Sequence, residues 1–334
     1  MRKRAALSRF SRPALHAAAV ALIAILAPLR AHAAGSALPP EVGYNYGQTE
    51  SPRIAGMGGA LRASSTSTEA LYANPANMAV TRVYHVGALA QIWPEAQRQS
   101  YGLAIVDSIV SASRLAGGLA ANWNRQDPDG VDRTFYDLRF GLAFPFSEHF
   151  FLGGSAKYLS LKEAGYPRGV YDLRPSTASA GLNDKAIVSN LTFDAGMTLK
   201  PVPELAISLV GTNLTNPGNG FLPLGLGGGV GYGNEDFTVE ADVVGDFTTY
   251  DGTKVRAMAG GEYLAADHFP LRIGYRYDQG MQSHALTGGF GYVDTAYAVD
   301  LSLQRVVSGE PSTAILIGFK YHVESSGLAP DADE

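Results

Sequence analysis

Tyr297-Ala-Val-Asp-Leu-Ser-Leu-Gln304 is the stretch that decides the fold, because its side chains alternate between apolar and polar. One face of an extended chain here would carry the apolar residues Tyr297, Val299, Leu301 and Leu303. The opposite face would carry Asp300, Ser302 and Gln304. This period of two predicts a β-strand between an apolar environment and a polar one.

The same period recurs from residue 83 to residue 323. In Leu271-Arg-Ile-Gly-Tyr-Arg276, for example, three apolar residues alternate with Arg272, Gly274 and Arg276. Membrane-spanning strands need about 9–11 residues. Fourteen segments have roughly that length, near 83–93, 98–107, 114–124, 133–146, 150–162, 186–200, 204–213, 223–234, 237–247, 254–264, 270–278, 283–293, 296–305 and 313–323. They predict an all-β fold, a transmembrane antiparallel β-barrel of about 14 strands.

The connections between segments favour a membrane barrel over a soluble sandwich, in which each strand also has one apolar face. If the first strand begins in the periplasm, the outward connections include 125–132, 163–185 and 213–222. The opposite set is mostly short, as at 147–149, with 108–113 as an exception. Long loops on one side and short turns on the other are typical of outer-membrane barrels. A soluble exported β-protein stays as an alternative hypothesis.

Residues 1–33 have the features of a cleaved signal peptide. The basic residues of Met1-Arg-Lys-Arg4 precede an apolar run at 14–29, and Ala31-His-Ala33 has the small-residue form of a cleavage site. These features predict export, and with the barrel they predict the bacterial outer membrane. The first 33 residues hold six of the 26 Lys and Arg and none of the 31 Asp and Glu. The rest of the chain is therefore acidic, which argues against a nucleic-acid partner.

The region between the signal and the strands has no alternating pattern. It contains Arg53-Ile-Ala-Gly-Met-Gly-Gly-Ala-Leu-Arg62 and then Ala73-Asn-Pro-Ala-Asn-Met78. The glycines predict a loop over 53–60, and a short helix within 64–78 would stop at Asn74-Pro75. We expect residues 34–80 to form a hatch, or plug, inside a barrel of residues 81–323. Residues 324–334 would be a disordered acidic tail.

The motif residues of this hatch are Gly56, Gly58, Gly59, Asn74 and Pro75. A phosphate-binding loop would need a Lys-Ser or Lys-Thr pair that the glycine stretch lacks. These residues therefore favour a role in backbone shape over nucleotide binding.

Together, the export signal, Gly56-Met-Gly-Gly-Ala60, Asn74-Pro-Ala76 and the strand array resemble FadL-type outer-membrane transport proteins, most closely the PorV-like branch. Two later runs, Gly260-Gly-Glu-Tyr263 and Leu286-Thr-Gly-Gly-Phe290, are similar to recurring PorV-like segments. The resemblance implies a fourteen-stranded barrel with a hatch in its lumen. It also implies transport of small hydrophobic compounds, gated by the hatch. The alternative that it implies is an outer-membrane docking or shuttle protein for secreted proteins.

Several charged residues are predicted to face the lumen from the strands. They are Asp137, Arg139, Asp194, Glu240, Asp242, Arg256, Glu262, Arg272, Arg276 and Asp300. Inward polar residues are usual in barrels and cross-link the wall. A functional interpretation is a solute path or a latch, in which Arg53 and Arg62 pair with acids such as Glu240 or Asp242.

Covalent chemistry is not indicated by the sequence. There is no cysteine, no nucleophile-elbow motif, and the histidines at 85, 149, 268, 284 and 322 lack metal-ligand spacing. We therefore predict no enzyme activity, no metal and no cofactor. The expected partners are outer-membrane lipid, a small hydrophobic ligand and, in the alternative role, secreted proteins.

Overall fold

The computed structural model describes residues 49–109, 114–126, 131–165, 186–217, 221–250 and 252–323. The predicted signal peptide, the predicted tail, residues 34–48 and most of the 163–185 connection lie outside these ranges. Within them, no helix combines the length and the apolar character needed to cross a membrane.

Fourteen antiparallel strands form one closed ring in which each strand pairs with its neighbours in the sequence. This confirms the predicted 14-stranded barrel. The strands are β1 (Tyr84–Trp93), β2 (Arg98–Asp107), β3 (Ala116–Gln126), β4 (Val131–Pro145), β5 (Phe150–Gly165), β6 (Ala186–Val202), β7 (Leu205–Thr212), β8 (Gly225–Gly233), β9 (Phe237–Asp246), β10 (Lys254–Ala265), β11 (Phe269–Asp278), β12 (Ser283–Val293), β13 (Tyr297–Ser308) and β14 (Thr313–His322).

The ring closes between β1 and β14, so the sheet has no free edge. Backbone partners along this seam run from His85 opposite His322 to Ile92 opposite Ile315. The rings of His85 and His322 stack with their centroids 4.3 Å apart. At the other end of the seam, Glu95 in the β1–β2 turn accepts a hydrogen bond from Arg305 at 2.6 Å.

The two faces of the wall differ as the alternation predicts. Large apolar side chains point outward along the strands, and Leu103 and Ile273 are 65% and 67% exposed. The alternate positions are buried in the ring and are mostly polar or small, as with Ser100, Asn122 and Thr192. The outer face therefore has the character that contact with hydrocarbon requires, and the inner face does not.

The connections differ in length between the two ends of the barrel, with one correction to the prediction. The connection predicted at 125–132 shrinks to residues 127–130, because β3 and β4 continue further than their alternating cores. The connection after β2 is the long exception among the short turns, as predicted, and it spans residues 108–115. Strands β4, β5 and β6 also exceed the expected length, with 15, 16 and 17 residues.

The described residues that precede β1 form three short helices rather than a loop and one helix. The first, α1 (Pro52–Gly56), lies where a loop was predicted. The side chain of Ser51 caps it by accepting from the N–H of Ile54, and proline at the first position suits a helix start. The second, α2 (Ser67–Ala73), stops before Asn74-Pro75 as predicted. A 3₁₀ helix (Pro75–Ala79) follows it.

Candidate functional site

Residues 49–80, which we call the N-terminal segment, contact opposite walls of the ring. On one side, Arg139 of β4 donates a hydrogen bond to the carbonyl of Leu71 at 3.2 Å. On the other side, Arg276 of β11 donates to the carbonyl of Gly58 at 2.8 Å. Because seven strand positions separate β4 from β11 in a ring of fourteen, the segment lies between the two walls.

An apolar contact fixes the segment against β2–β5. Leu71 and Met78 are fully buried in a cluster that includes Val106. The wall makes room for them at two inward glycines. A side chain at Gly118 would approach the sulfur of Met78 to 2.9 Å, and one at Gly141 would approach Leu71 equally closely. Burial of each such apolar side chain contributes about 1.5–3 kcal/mol.

The predicted glycines of the segment occur where the backbone touches the wall. Gly58 has a φ of +71°, and a side chain there would lie 2.6 Å from the carbonyl oxygen of Tyr275. A side chain at Gly59 would collide with the guanidinium of Arg276, and one at Gly56 would approach the hydroxyl of Ser302 to 2.9 Å. These contacts explain the glycines by shape, since any larger residue would displace the segment from β11 or β13.

Arg53 is joined to the wall by a chain of charges. Its guanidinium donates to Glu262, with the closest atoms 2.8 Å apart, and Glu262 also accepts from Arg272. Arg272 continues the chain to Asp300. The predicted partners of Arg53, Glu240 and Asp242, were therefore wrong, because the side chain points toward β10 and β11 rather than β9. Burial opposes the charge on Arg53, but Glu262 outweighs it and raises the pKa of Arg53.

Arg62 does reach Asp242, with the two groups 3.0 Å apart. The same carboxylate accepts from the backbone N–H groups of Leu61 and Arg62, each at 3.1 Å. Glu240, two residues earlier on β9, accepts from the N–H groups of Ala63 and Ser64 at 2.7 and 2.8 Å. Two inward acids therefore hold four consecutive backbone amides of the segment.

Asn74 organises the second motif through its side chain. Its amide nitrogen donates to the carbonyl of Arg62 at 2.9 Å and to the hydroxyl of Thr198 at 2.8 Å. Its amide oxygen accepts from the N–H of Ala76 at 3.1 Å. Pro75 follows at the start of the 3₁₀ helix, where its carbonyl carbon would be 2.6 Å from a side chain at Gly153.

Two further ion pairs tie the segment to the wall, and neither was among the pairs predicted from the sequence. Glu50 pairs with Arg276 at 2.8 Å, and Glu69 of α2 pairs with Lys320 of β14 at 2.7 Å. Burial would raise the pKa of Glu69, but Lys320 and then Arg53 outweigh it and lower that pKa. The inward position of Lys320 between Phe319 and Tyr321 was a usable signal for this contact. Glu50 lies before the glycine motif in the chain, and no sequence pattern marked it as a contact residue.

Some predicted lumen residues pair within the wall instead of with the segment. Asp194 lies 3.3 Å from Lys157 and accepts from the N–H of Asn213 at 2.7 Å. Arg256 pairs with Asp278 at 3.0 Å. Asp137 pairs with Arg139 at 2.7 Å, so this acid orients the arginine that contacts Leu71.

A chamber of about 300 Å³ lies at the short-turn end of the lumen. Its lining includes Arg53, Glu262, Arg272, Asp300 and Lys320. The charge chain that holds the segment is therefore also part of the chamber wall.

Of the five histidines considered as metal ligands, only His85 and His322 lie together, in the stacked pair at the β1–β14 seam. His149, His268 and His322 each bond a backbone carbonyl at a strand end. His85 contacts the hydroxyl of Ser67 at 2.7 Å, and that serine is only 2% exposed. Among the residues that the structure describes, no three His, Asp or Glu residues are grouped to hold a metal ion.

Several solved structures share this fold. The Ralstonia pickettii toluene transporter TbuX has a TM-score of 0.62 and 14% identity, over 83% of this chain and 99% of that one. The monoaromatic hydrocarbon channel CymD has a TM-score of 0.61 and 16% identity, over 82% and 97%. A Pseudomonas aeruginosa FadL homologue has a TM-score of 0.57 and 14% identity, over 86% and 99%. No protein-family model matches the sequence, and no curated protein does.

These likenesses confirm the FadL-type part of the predicted resemblance at the level of fold. The PorV-like branch is not shown by them and stays a prediction.

Proposed function

We propose that this protein is an outer-membrane channel that admits small hydrophobic compounds and that the N-terminal segment gates it. The observation that carries the proposal is the N-terminal segment bound between opposite walls of a closed, outwardly apolar barrel. The names of the similar structures, a toluene transporter and a monoaromatic hydrocarbon channel, support the class of compound.

Membrane placement follows from the outer face of the barrel. Side chains such as Leu103, Phe140 and Ile273 are about half exposed or more. In water, so large an apolar surface would cause aggregation, whereas in a bilayer it is the favoured state. The signal peptide expected over residues 1–33 would direct the chain to that membrane.

The N-terminal segment acts in this proposal as the hatch. It is held by directional polar contacts that include Arg53–Glu262, Arg62–Asp242 and Glu69–Lys320. Such contacts have two discrete states, made or broken, because a partly separated buried ion pair is costly. A solute would pass when the segment shifts away from part of the wall. No covalent step is needed.

The test makes two measurements on each variant. One is the conductance of single barrels in planar bilayers, and the other is the uptake of labelled toluene by Gram-negative cells that carry the barrel. The variant Glu240→Gln/Asp242→Asn weakens the carboxylates that hold residues 61–64. The control is Asp194→Asn, an inward acid that pairs with Lys157 rather than with the segment. We expect higher conductance and faster uptake in the double variant only. Equal conductance in wild type, double variant and control would contradict gating by the segment.

The alternative of docking secreted proteins is not proposed. It depends on the connection at 163–185, most of which lies outside the described residues, and no contact within the described ranges favours it.

A further inference from the structure

A groove of about 420 Å³ lies on the outer wall of the barrel, across the first four strands. Its apolar lining includes Tyr84, Ile105, Phe140 and Leu142. It lies beside the 108–115 connection, at the short-turn end of the barrel.

The strand register explains why the wall is hollow there. Tyr84, Asp107, Gly117 and Leu142 are successive backbone partners on β1, β2, β3 and β4. All four are outward positions, but Gly117 contributes no side chain, so the row has a gap. The next outward row consists of Ile105, Leu119 and Phe140. These apolar side chains follow one another without interruption and border the gap.

Charges of both signs meet at the short-turn end of the groove. Asp107 lines the groove, and its carboxylate accepts from the N–H of Ile109 at 2.8 Å. The carbonyl of Ile109 in turn accepts from the guanidinium of Arg82 at 2.7 Å. Arg114, which is exposed, directly precedes the lining residue Leu115. The apolar trough thus ends at the carboxylate of Asp107, with the guanidinium of Arg82 bound two residues further along the chain and Arg114 adjacent in sequence to the lining.

We propose that this groove binds a phospholipid with an ethanolamine headgroup. One acyl chain would fill the gap at Gly117, the ammonium would face Asp107, and the phosphate would face Arg82 and Arg114. Opposite charges at a membrane surface attract lipid headgroups in this way. The inference rests on the membrane placement in the proposed function but does not depend on transport or gating.

Two outward glycines provide a matched pair of variants. A Cβ added at Gly117 would meet only Leu142, at 3.8 Å, so Gly117→Leu adds apolar bulk at the groove without a collision at the Cβ. A side chain at Gly261 on β10 would meet only atoms of β9, at 3.7 Å or more. Gly261→Leu therefore adds the same apolar bulk elsewhere. Asp107→Asn removes the carboxylate and leaves the groove open.

The experiment is native mass spectrometry of the detergent-purified barrel after equilibration with either phosphatidylethanolamine or phosphatidylglycerol. Wild type and Gly261→Leu should retain one phosphatidylethanolamine, and Gly117→Leu should retain about tenfold less, equivalent to about 1.4 kcal/mol. Asp107→Asn should lose the preference between the two lipids. Equal retention by Gly117→Leu and wild type would overturn the proposal, as would equal retention of both lipids by wild type. Conductance of the same variants in planar bilayers distinguishes this result from failure of the channel function.

Discussion

Arg53 and Glu262 are 209 positions apart in the sequence, yet the guanidinium of Arg53 donates to both carboxylate oxygens of Glu262, at 2.8 and 3.0 Å. This two-point contact connects α1 to the inner face of β10. Both side chains are mostly buried, with 17% and 13% of their surfaces exposed. The pair therefore contributes to the position of the N-terminal segment far more than a surface pair would.

Removing the acid from this pair should destabilise the protein. Glu262→Gln leaves Arg53 and Arg272 without their shared carboxylate, and breaking a buried pair costs about 3–5 kcal/mol. Asp132→Asn is the control, because its partner Arg125 has a side chain that is 56% exposed. That change should cost at most about 1 kcal/mol. Urea unfolding of both variants in detergent measures the difference, and equal losses would contradict the structural role of Glu262.

The contact of Gly58 with β11 predicts a large effect of one methyl group. Gly58→Ala would place its side chain 2.6 Å from the carbonyl oxygen of Tyr275. Gly252 also has a positive φ, +92°, but has no atom within 4 Å of the added carbon. Gly252→Ala should therefore show only the cost of the left-handed backbone, about 1–2 kcal/mol. Gly58→Ala should lower the melting temperature clearly more than Gly252→Ala does. Similar melting temperatures for the two variants would show that the segment is not packed against β11.

The hydrogen bond between Asn74 and Thr198 predicts non-additive substitutions. Asn74→Ala should cost about 1–3 kcal/mol, because it leaves the buried hydroxyl of Thr198 and the carbonyl of Arg62 with fewer partners. Thr198→Val removes the other side of the contact. The double variant should cost less than the two single losses combined. Strict additivity in unfolding measurements would show that the two side chains do not act together.

The pair of Glu69 and Lys320 predicts a loss of stability in acid. The pKa of Glu69 is lower in the folded protein than its ordinary value, so the pair contributes fully above the carboxyl's usual pKa of about 4.3. The contribution disappears as pH falls through the lower, folded-state pKa. Wild type should therefore be more stable than Glu69→Gln at neutral pH and lose that advantage at the acid end. A stability difference that stays constant down to pH 2 would contradict this linkage.

The strands were predictable because their signal is local. Alternation identifies each strand and its inward face from a few adjacent residues, as in Tyr297 to Gln304. The strand ends were less predictable. β5 and β6 extend beyond their alternating cores, where backbone pairing continues without a side-chain pattern.

The N-terminal segment was predictable only in part, for two different reasons. α1 was missed because the glycines of 53–60 outweighed the start signal of Ser51 and Pro52. The partner of Arg53 was missed because alternation assigns a face to Glu240, Asp242 and Glu262 but no position around the ring. That position depends on the path of the whole segment through the barrel.

The central claim is that solutes pass only when the N-terminal segment moves, and a reversible crosslink tests it. The chain has no native cysteine. A Cβ added at Gly87 of β1 would lie 3.5 Å from the hydroxyl oxygen of Thr68 in α2 and would meet no closer atom. A disulfide needs a Cβ separation of about 3.5–4.5 Å, so Thr68→Cys/Gly87→Cys offers a crosslink between the segment and the wall without a collision. We expect uptake of labelled toluene by cells with this variant to fall on oxidation and to recover on reduction. Uptake that stays the same in the oxidised and reduced states would contradict the claim.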